Sequence, residues 1–182
     1  FLKLILSKNP AHDRAVFELS RILCREDTPQ EARKVVDAFT KKYDKTGWIH
    51  LALGEIHEAE GATDAAWISF NVALRLLPDE PLVQGACGRI YLARGQYQDA
   101  AEQFGRAMAK DPNNPDLLVN LAEATDGLND PASALELCKS AVMRVPENPY
   151  PFYVMARIHS KAKDHRAALE VIVAGLKGSP TS

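Results

Sequence analysis

Prolines recur along this sequence at a fixed interval. Pro78, Pro112, Pro146 and Pro180 are evenly spaced, and Pro10 precedes Pro78 by twice the same interval. A constant period within the range of about 20–50 residues is the signature of a chain built from repeated supersecondary units. This period constrains the fold more than any other feature of the chain.

Small and bulky apolar residues keep the same step as the prolines. Small residues let two helices approach closely, and bulky residues fill the space between them. The pattern therefore predicts two packed helices in every repeat. One series is alanine throughout (Ala32, Ala66, Ala100, Ala134, Ala168), one is small (Ser20, Gly54, Gly88, Ala122, Ala156) and one is bulkier and apolar (Val36, Phe70, Phe104, Cys138, Ile172).

Turn and capping residues fit the same two-helix scheme. Gly61 and Gly95 are separated by one such interval, and each lies where the chain must turn between the two helices. Thr28-Pro29-Gln30-Glu31 matches a capping box with proline at the first helical position, so Thr28 is expected to cap a helix. Asp130 before Pro131 is expected to do the same.

The chain resembles the tetratricopeptide repeat (TPR) family, whose signature has the same period of about 34 residues. The resemblance implies an all-α fold, a right-handed α-solenoid of antiparallel helix pairs with a concave groove lined by the first helices. The first repeat departs from the signature, with Asp44 in place of proline. The residues that match the signature in one repeat are Gly88, Tyr91, Ala100, Phe104, Ala107 and Pro112. The repeats are expected at 13–46, 47–80, 81–114, 115–148 and 149–182, after a second helix of a truncated repeat at 1–12, together as one continuous solenoid domain.

The resemblance also implies which residues would line a partner-binding groove. Aromatic residues such as Trp48, Tyr150 and Tyr153 suit binding because they offer a large apolar area and a polar tip. The alternative is that some of the groove residues pack between repeats and contact no ligand. The expected groove set is Phe17, Arg21, Trp48, Leu51, Glu55, Leu82, Arg89, Val119, Asn120, Glu123, Tyr150, Tyr153 and Arg157.

Charges alternate in sign at the ninth position of successive repeats. If neighbouring repeats stack, each arginine would lie beside a glutamate of the next repeat, and we call this series the charge ladder. A role in fixing the geometry of the repeats is favoured over ligand recognition. The competing interpretations are chance and a set of exposed pairs, each worth only about 0–1 kcal/mol. The charge ladder is Arg21, Glu55, Arg89, Glu123 and Arg157.

One TPR subtype, which clamps the terminal carboxylate of heat-shock chaperones, can be excluded. That subtype places lysines and asparagines at set groove positions, and only Asn120 fits here. Without the ammonium groups of these lysines, the groove has nothing to form an ion pair with a terminal carboxylate. An internal segment or an amphipathic helix of a partner protein is favoured instead.

Composition excludes several other classes of function. The formal net charge of −2 disfavours a nucleic-acid binder, and no apolar stretch has the length for membrane insertion. His50 and His57 share a helix without a third ligand, so no metal or other cofactor is expected. No nucleophile or phosphate-loop motif is present, which indicates that the chain is not an enzyme. Three cysteines without a pairing pattern favour the cytoplasm over the periplasm.

The sequence therefore predicts a protein-interaction scaffold that binds a partner peptide or helix in a concave groove. The alternative is a TPR arm of a larger machine, such as a bacterial secretion or exopolysaccharide-export protein or a TPR-bearing glycosyltransferase. Apolar residues near both ends, such as Leu4 and Leu176, lack a stacking partner in this scheme. We therefore expect either that the array continues past both ends or that its terminal repeats self-associate end to end.

Overall fold

A computed structural model describes residues 2–178, and within that range it contains α-helices and no strand. Phe1 and residues 179–182, including Pro180 of the proline series, lie outside the described residues. No helix of the described part combines the length and apolarity needed to cross a membrane. The eleven described helices are α1 (Leu2–Lys8), α2 (Asp13–Arg25), α3 (Pro29–Thr40), α4 (Gly47–Ala59), α5 (Thr63–Leu76), α6 (Pro81–Ala93), α7 (Tyr97–Lys110), α8 (Pro115–Gly127), α9 (Pro131–Arg144), α10 (Tyr150–Lys161) and α11 (His165–Gly178).

The chain divides into two compact units, Phe1–Ile90 and Tyr91–Ser182. In the first unit α2 pairs with α3 and α4 with α5, and α4 also packs against both α2 and α3. In the second unit α8 pairs with α9 and α10 with α11, and α10 packs against both α8 and α9. Within each unit, therefore, a helix pair forms a groove that the next first helix fills. The predicted all-α solenoid class is confirmed, and the exact division into repeats stays a prediction.

Five of the described turns, which join α2 to α3, α4 to α5, α6 to α7, α8 to α9 and α10 to α11, each pass through one residue in the left-handed region, always at the same repeat position. Gly61 and Gly95 have φ values of 74° and 71°, so the predicted turn glycines are confirmed. Asp27, Asn129 and Lys163 have the same backbone conformation, with φ values of 57°, 66° and 62°. The turns close on the same two hydrogen bonds: for instance, the Gly61 N–H donates to the Glu58 carbonyl and the next N–H to the His57 carbonyl. This is the Schellman pattern of helix termination.

The two predicted N-caps have different outcomes. The Asp130 carboxylate accepts a hydrogen bond from the Ser133 N–H at 3.1 Å, so that cap is confirmed. The Thr28 cap was wrong, because the hydroxyl of Thr28 donates to the Leu23 carbonyl at 2.8 Å and caps no helical N–H. A hydroxyl can donate as well as accept, and here its partner is a carbonyl in the last turn of the preceding helix, which also accepts the Thr28 N–H at 2.9 Å.

The repeated small and bulky residues form the cores of the helix pairs. The alanines of the alanine series are buried, as are Phe70 and Phe104 of the bulky series. Gly54 lies directly under the Phe70 ring, since a Cβ built on it would be 2.3 Å from two ring carbons. Cys138 of the bulky series is fully buried, and so is Cys87.

Candidate functional site

The first-helix face of the first unit centres on Trp48, at the start of α4. The Arg14 guanidinium carbon lies 4.7 Å from the centre of the Trp48 ring, a cation–π geometry. The Phe17 ring centre lies 5.4 Å from the Trp48 ring centre at a tilt of 38°, and the Arg21 guanidinium carbon lies 5.4 Å from the Phe17 ring centre. Contacts with Arg14 and Phe17 restrain the orientation of the indole, which stays only partly buried.

In the first unit the arginines of the charge ladder pair with carboxylates outside the ladder. Arg21 forms its ion pair with Glu18 at 2.6 Å, and Arg89 forms its ion pair with Glu58 at 3.0 Å. Burial raises the pKa of the Glu55 carboxyl, and the attraction of Arg89 and Arg21 opposes that rise. The predicted ion pairs of Arg21 and Arg89 with Glu55 are therefore not formed, because both arginines pair with carboxylates at other positions.

In the second unit the charge ladder is a direct ion pair joined to two tyrosines. Arg157 Nη2 lies 2.7 Å from Glu123 Oε1, and the Tyr150 hydroxyl donates to Glu123 Oε2 at 2.8 Å. The Tyr150 and Tyr153 rings are stacked with their centres 6.0 Å apart, and Arg157 lies 5.9 Å from the Tyr153 centre. The Glu123 side chain is only 10% exposed, whereas Tyr150 and Tyr153 are 44% and 58% exposed. A nearly buried carboxylate therefore orders an exposed pair of aromatic rings.

Replacing Glu123 with arginine should lower the melting temperature. The change removes two charge-assisted hydrogen bonds and sets two guanidinium groups side by side, so we expect a loss of about 2–3 kcal/mol. Thermal unfolding followed by circular dichroism measures it. Glu136→Arg is the matched control, because the ion pair of Glu136 with Lys139 is largely exposed and should matter by less than about 0.5 kcal/mol. Equal melting temperatures for the wild type and Glu123→Arg would contradict a structural role for the pair.

The Tyr150 phenol should titrate at unusually high pH. Burial, followed by the hydrogen bond to Glu123, raises its pKa from 10.0 to about 12. Because the folded pKa is above the unfolded value, this interaction stabilises the fold fully below pH 10.0 and is lost as pH rises towards 12. Phenolate absorbance of the wild type, with Tyr150→Phe subtracted, measures the pKa. In Glu123→Gln the pKa should move back towards its ordinary value, and an unchanged titration would contradict the assigned cause.

The remaining predicted groove residues divide by burial. Phe17, Leu51 and Val119 are at most 1% exposed, so they support the groove from the core and offer no surface to a partner. Leu82 and Asn120 are partly buried. In the structure, then, the exposed part of the predicted set is aromatic and charged, and its aliphatic part is largely internal.

Sequence reasoning missed three polar residues on the same faces. Arg14 occupies the same repeat position as Trp48 and Tyr150. It was not predicted because it is charged, and the expected groove residues at that position are apolar or aromatic. Lys161 Nζ lies 3.4 Å from the Asp126 carboxylate, and the two residues lie on the first helices α10 and α8, as Arg157 and Glu123 do. The repeat position of these residues could therefore have indicated that they face the groove, whereas their polar residue type did not.

A pocket between α10 and α11 was also not predicted. It has a volume of about 870 Å³, and its lining includes Phe152, Tyr153, Ile172 and Leu176. Ile172 and Leu176 are 45% and 67% exposed. Exposure of the apolar side of α11 was expected from the sequence, but its closure with α10 into a concave pocket was not.

Other polar clusters of the described residues have structural explanations. His57 Nδ1 lies 3.2 Å from the Ser69 hydroxyl, which itself donates to the Ala65 carbonyl. Burial, then the nearby carboxylates of Glu55 and Glu60, raises the pKa of the Cys24 thiol to about 11. Within residues 2–178 no three metal-binding side chains are grouped as ligands for an ion.

Two models of protein families match the sequence. A model described as Tetratricopeptide repeat matches residues 25–81, and a model described as TPR repeat matches residues 88–125. Among curated proteins, Cellulose synthase operon protein C of Pseudomonas fluorescens (strain SBW25) is 27% identical over 122 residues. That match covers 63% of this chain and 10% of the relative, so the chain spans only a small part of the relative's length.

Solved structures of similar fold share little sequence with the chain. MamA (41-end) from Desulfovibrio magneticus RS-1 has a TM-score of 0.73 at 19% identity, over 91% of this chain and 94% of that one. PilF of Pseudomonas aeruginosa has a TM-score of 0.74 at 17% identity, over 93% of this chain and 78% of that one. At this level of identity the likeness concerns the fold alone.

Proposed function

Because the chain is a tetratricopeptide repeat protein, we propose that it is an interaction scaffold whose first-helix faces bind a segment of a partner protein. The observation that carries this proposal is the exposed Tyr150–Tyr153 pair on α10, held in place by Glu123 and Arg157. Aromatic side chains with fixed orientation provide a large contact area and lose little conformational entropy on binding.

The first unit offers a second anchor of the same kind. Trp48 contacts both Arg14 and Phe17, and its ring stays partly accessible. Tryptophan, tyrosine and arginine are the residue types that most often dominate the binding energy of protein interfaces. Both anchors combine an aromatic ring with a guanidinium group, which suits a partner segment that carries apolar and acidic side chains.

A pull-down with the wild type and with a Trp48→Ala, Tyr153→Ala double variant tests this proposal. A partner identified with the wild type should be lost with the variant. In a direct titration of the purified partner, the dissociation constant should rise at least about tenfold, which corresponds to roughly 1.4 kcal/mol. Circular dichroism checks that the variant is folded.

The matched control is Met143→Ala. Met143 is 75% exposed on the second helix α9, away from the first-helix faces. Its truncation should leave the affinity unchanged. If the double variant binds as tightly as the wild type, or if Met143→Ala weakens binding equally, the first-helix faces are not the binding site.

The similarity to Cellulose synthase operon protein C supports a second candidate function. In this version the repeats are an arm of a larger machine for exopolysaccharide synthesis or export, and they position other components of it. A chromosomal Trp48→Ala, Tyr153→Ala substitution in the source organism should then reduce secreted polysaccharide. Normal secretion with a stably expressed variant would count against this version.

A further inference from the structure

Arg14 contacts an aromatic ring but has no ion-pair partner among the described residues. Its guanidinium carbon lies 4.7 Å from the centre of the Trp48 ring, and its side chain is exposed. The other arginines that contact the described carboxylates of the first unit are Arg21, Arg33 and Arg89, which pair with glutamates at 2.6, 2.7 and 3.0 Å. Arg14 therefore offers an uncompensated positive charge beside an accessible ring.

The two acidic residues nearest to Arg14 on α2 already have other partners. Asp13 Oδ1 accepts the backbone N–H of Arg14 at 2.7 Å, in the first turn of the helix, where a carboxylate is favoured. Glu18 lies within helical reach of both Arg14 and Arg21, and it pairs with Arg21 at 2.6 Å. An acidic residue that precedes its basic partner along a helix forms the better pair, which favours Arg21. The sequence of α2 thus leaves the charge of Arg14 without a partner in that helix.

The second unit has the same combination of ring and guanidinium, but there the charge is compensated. Arg157 lies 5.9 Å from the centre of the Tyr153 ring and 2.7 Å from Glu123 Oε1. The Glu123 side chain is only 10% exposed, so a carboxylate from a partner would compete with one that is nearly buried. Of the two aromatic anchors, the one that contains Arg14 is therefore the better receptor for an acidic group.

The environment of Arg14 suits a carboxylate. A guanidinium group is planar and can donate two parallel hydrogen bonds to one carboxylate. Contact with the Trp48 ring restrains the group, so less side-chain freedom is lost when a ligand binds. A phosphate, which carries nearly two charges, is best matched by a cluster of arginines. The next guanidinium along α2 is that of Arg21, and Glu18 already neutralises it.

We infer that Arg14 selects a partner segment with an aspartate or glutamate side chain, which pairs with the guanidinium while an adjacent apolar side chain covers the accessible part of the Trp48 ring. This inference rests on the proposed function and specifies the chemistry of its first-unit anchor. It requires an acidic residue at Trp48 and none at the Tyr150–Tyr153 pair, where Glu123 compensates the guanidinium.

Selection of random peptides displayed on phage, with the full chain as the target, tests the inference. Peptides whose binding is lost in Trp48→Ala should be enriched in aspartate or glutamate next to an apolar or aromatic residue. One such peptide is synthesised with a fluorescein label, both in its acidic form and with the acidic residue replaced by its amide. In fluorescence anisotropy the wild type should bind the amide peptide about fivefold more weakly, the upper end for an exposed ion pair.

Two arginine variants form a matched pair for this measurement. Arg14→Met keeps an unbranched side chain beside the indole and removes the charge. It should bind the acidic peptide about fivefold more weakly than the wild type does, and it should bind both peptides equally. Arg75→Met removes the same charge from an exposed position on the second helix α5, and its preference for the acidic peptide should equal that of the wild type. Circular dichroism checks that both variants are folded.

Three results would overturn the inference. One is a set of peptides that depend on Trp48 but show no enrichment in acidic residues. Another is equal weakening of both peptides by Arg14→Met, which would mean that Arg14 only positions Trp48. The third is loss of the acidic preference in Arg75→Met, which would indicate an effect of net charge. Selected peptides that all bind the Trp48→Ala, Tyr153→Ala double variant unchanged would contradict the proposed function itself, and this inference with it.

Discussion

Phe104→Ala should destabilise the protein by about 3–5 kcal/mol, the range for truncating a fully buried phenylalanine. Phe104 is 0% exposed, and three of the other four buried residues in its cluster are alanines: Ala100, Ala107 and Ala124. Side chains this short cannot move far enough to fill the vacated volume, so the cavity should persist. Denaturant unfolding followed by circular dichroism measures the change.

Met143→Ala is the control for this prediction as well. Its side chain is 75% exposed, and truncation should change the free energy of unfolding by less than about 0.5 kcal/mol. A loss below about 1 kcal/mol for Phe104→Ala would show that the helices close over the cavity, contrary to the close packing inferred from the repeat.

Gly54→Ala should destabilise the protein by about 1–3 kcal/mol although alanine is the better helix former. The added methyl carbon would lie 2.3 Å from Cδ1 and Cε1 of Phe70. The Phe70 side chain is fully buried, so it cannot move away into solvent. The free energy of unfolding of Gly54→Ala, Phe70→Leu and the double variant gives a mutant cycle. Replacing the ring with the smaller leucine side chain should relieve the clash. The double variant should therefore lose less free energy of unfolding than the sum of the losses of the two single variants.

Gly105→Ala, on helix α7, should have the opposite effect on stability. Apart from its chain neighbours and the nearby backbone of its own helix, no atom of the described residues lies within 4 Å of the position its Cβ would take. The substitution should therefore stabilise the protein by about 0.5–1 kcal/mol, the helix preference of alanine over glycine. If Gly54→Ala stabilised the protein similarly, the small residue at its repeat position would have no packing role.

Much of the fold could be predicted because the period fixes which residues face one another. Phe70 and Phe104 return with the same step as the buried alanines, and that step is sufficient to indicate paired helices. The cap at Asp130 was predictable because a carboxylate can only accept hydrogen bonds. The cap at Thr28 was not, because a hydroxyl chooses between donating and accepting, and only the three-dimensional structure shows which partner is closer.

The candidate site was predictable by position but not by environment. Phe17 and Tyr153 occupy the same repeat position, yet Phe17 is buried under the Trp48 ring and Tyr153 is 58% exposed. The repeat position of a residue predicts which face of the helix its side chain lies on. The exposed fraction of that side chain depends on which residues of the neighbouring helix cover it. For the same reason the ion pairs of Arg21 and Arg89 required the structure, since several carboxylates lay within reach of each guanidinium group.

The left-handed turns have a consequence for how such a chain tolerates insertions and deletions. Each turn closes on hydrogen bonds between residues at most five positions apart, so its geometry is set locally whatever side chain occupies it. Inserting a single residue inside a helix would rotate the side chains that follow it by about 100° around the helix axis, so the alanine and phenylalanine of that helix would no longer face their packing partners. Removing one complete repeat leaves the facing of every remaining helix intact. The length of the array is therefore expected to change by whole repeats, and single-residue insertions or deletions within helices to be the damaging ones.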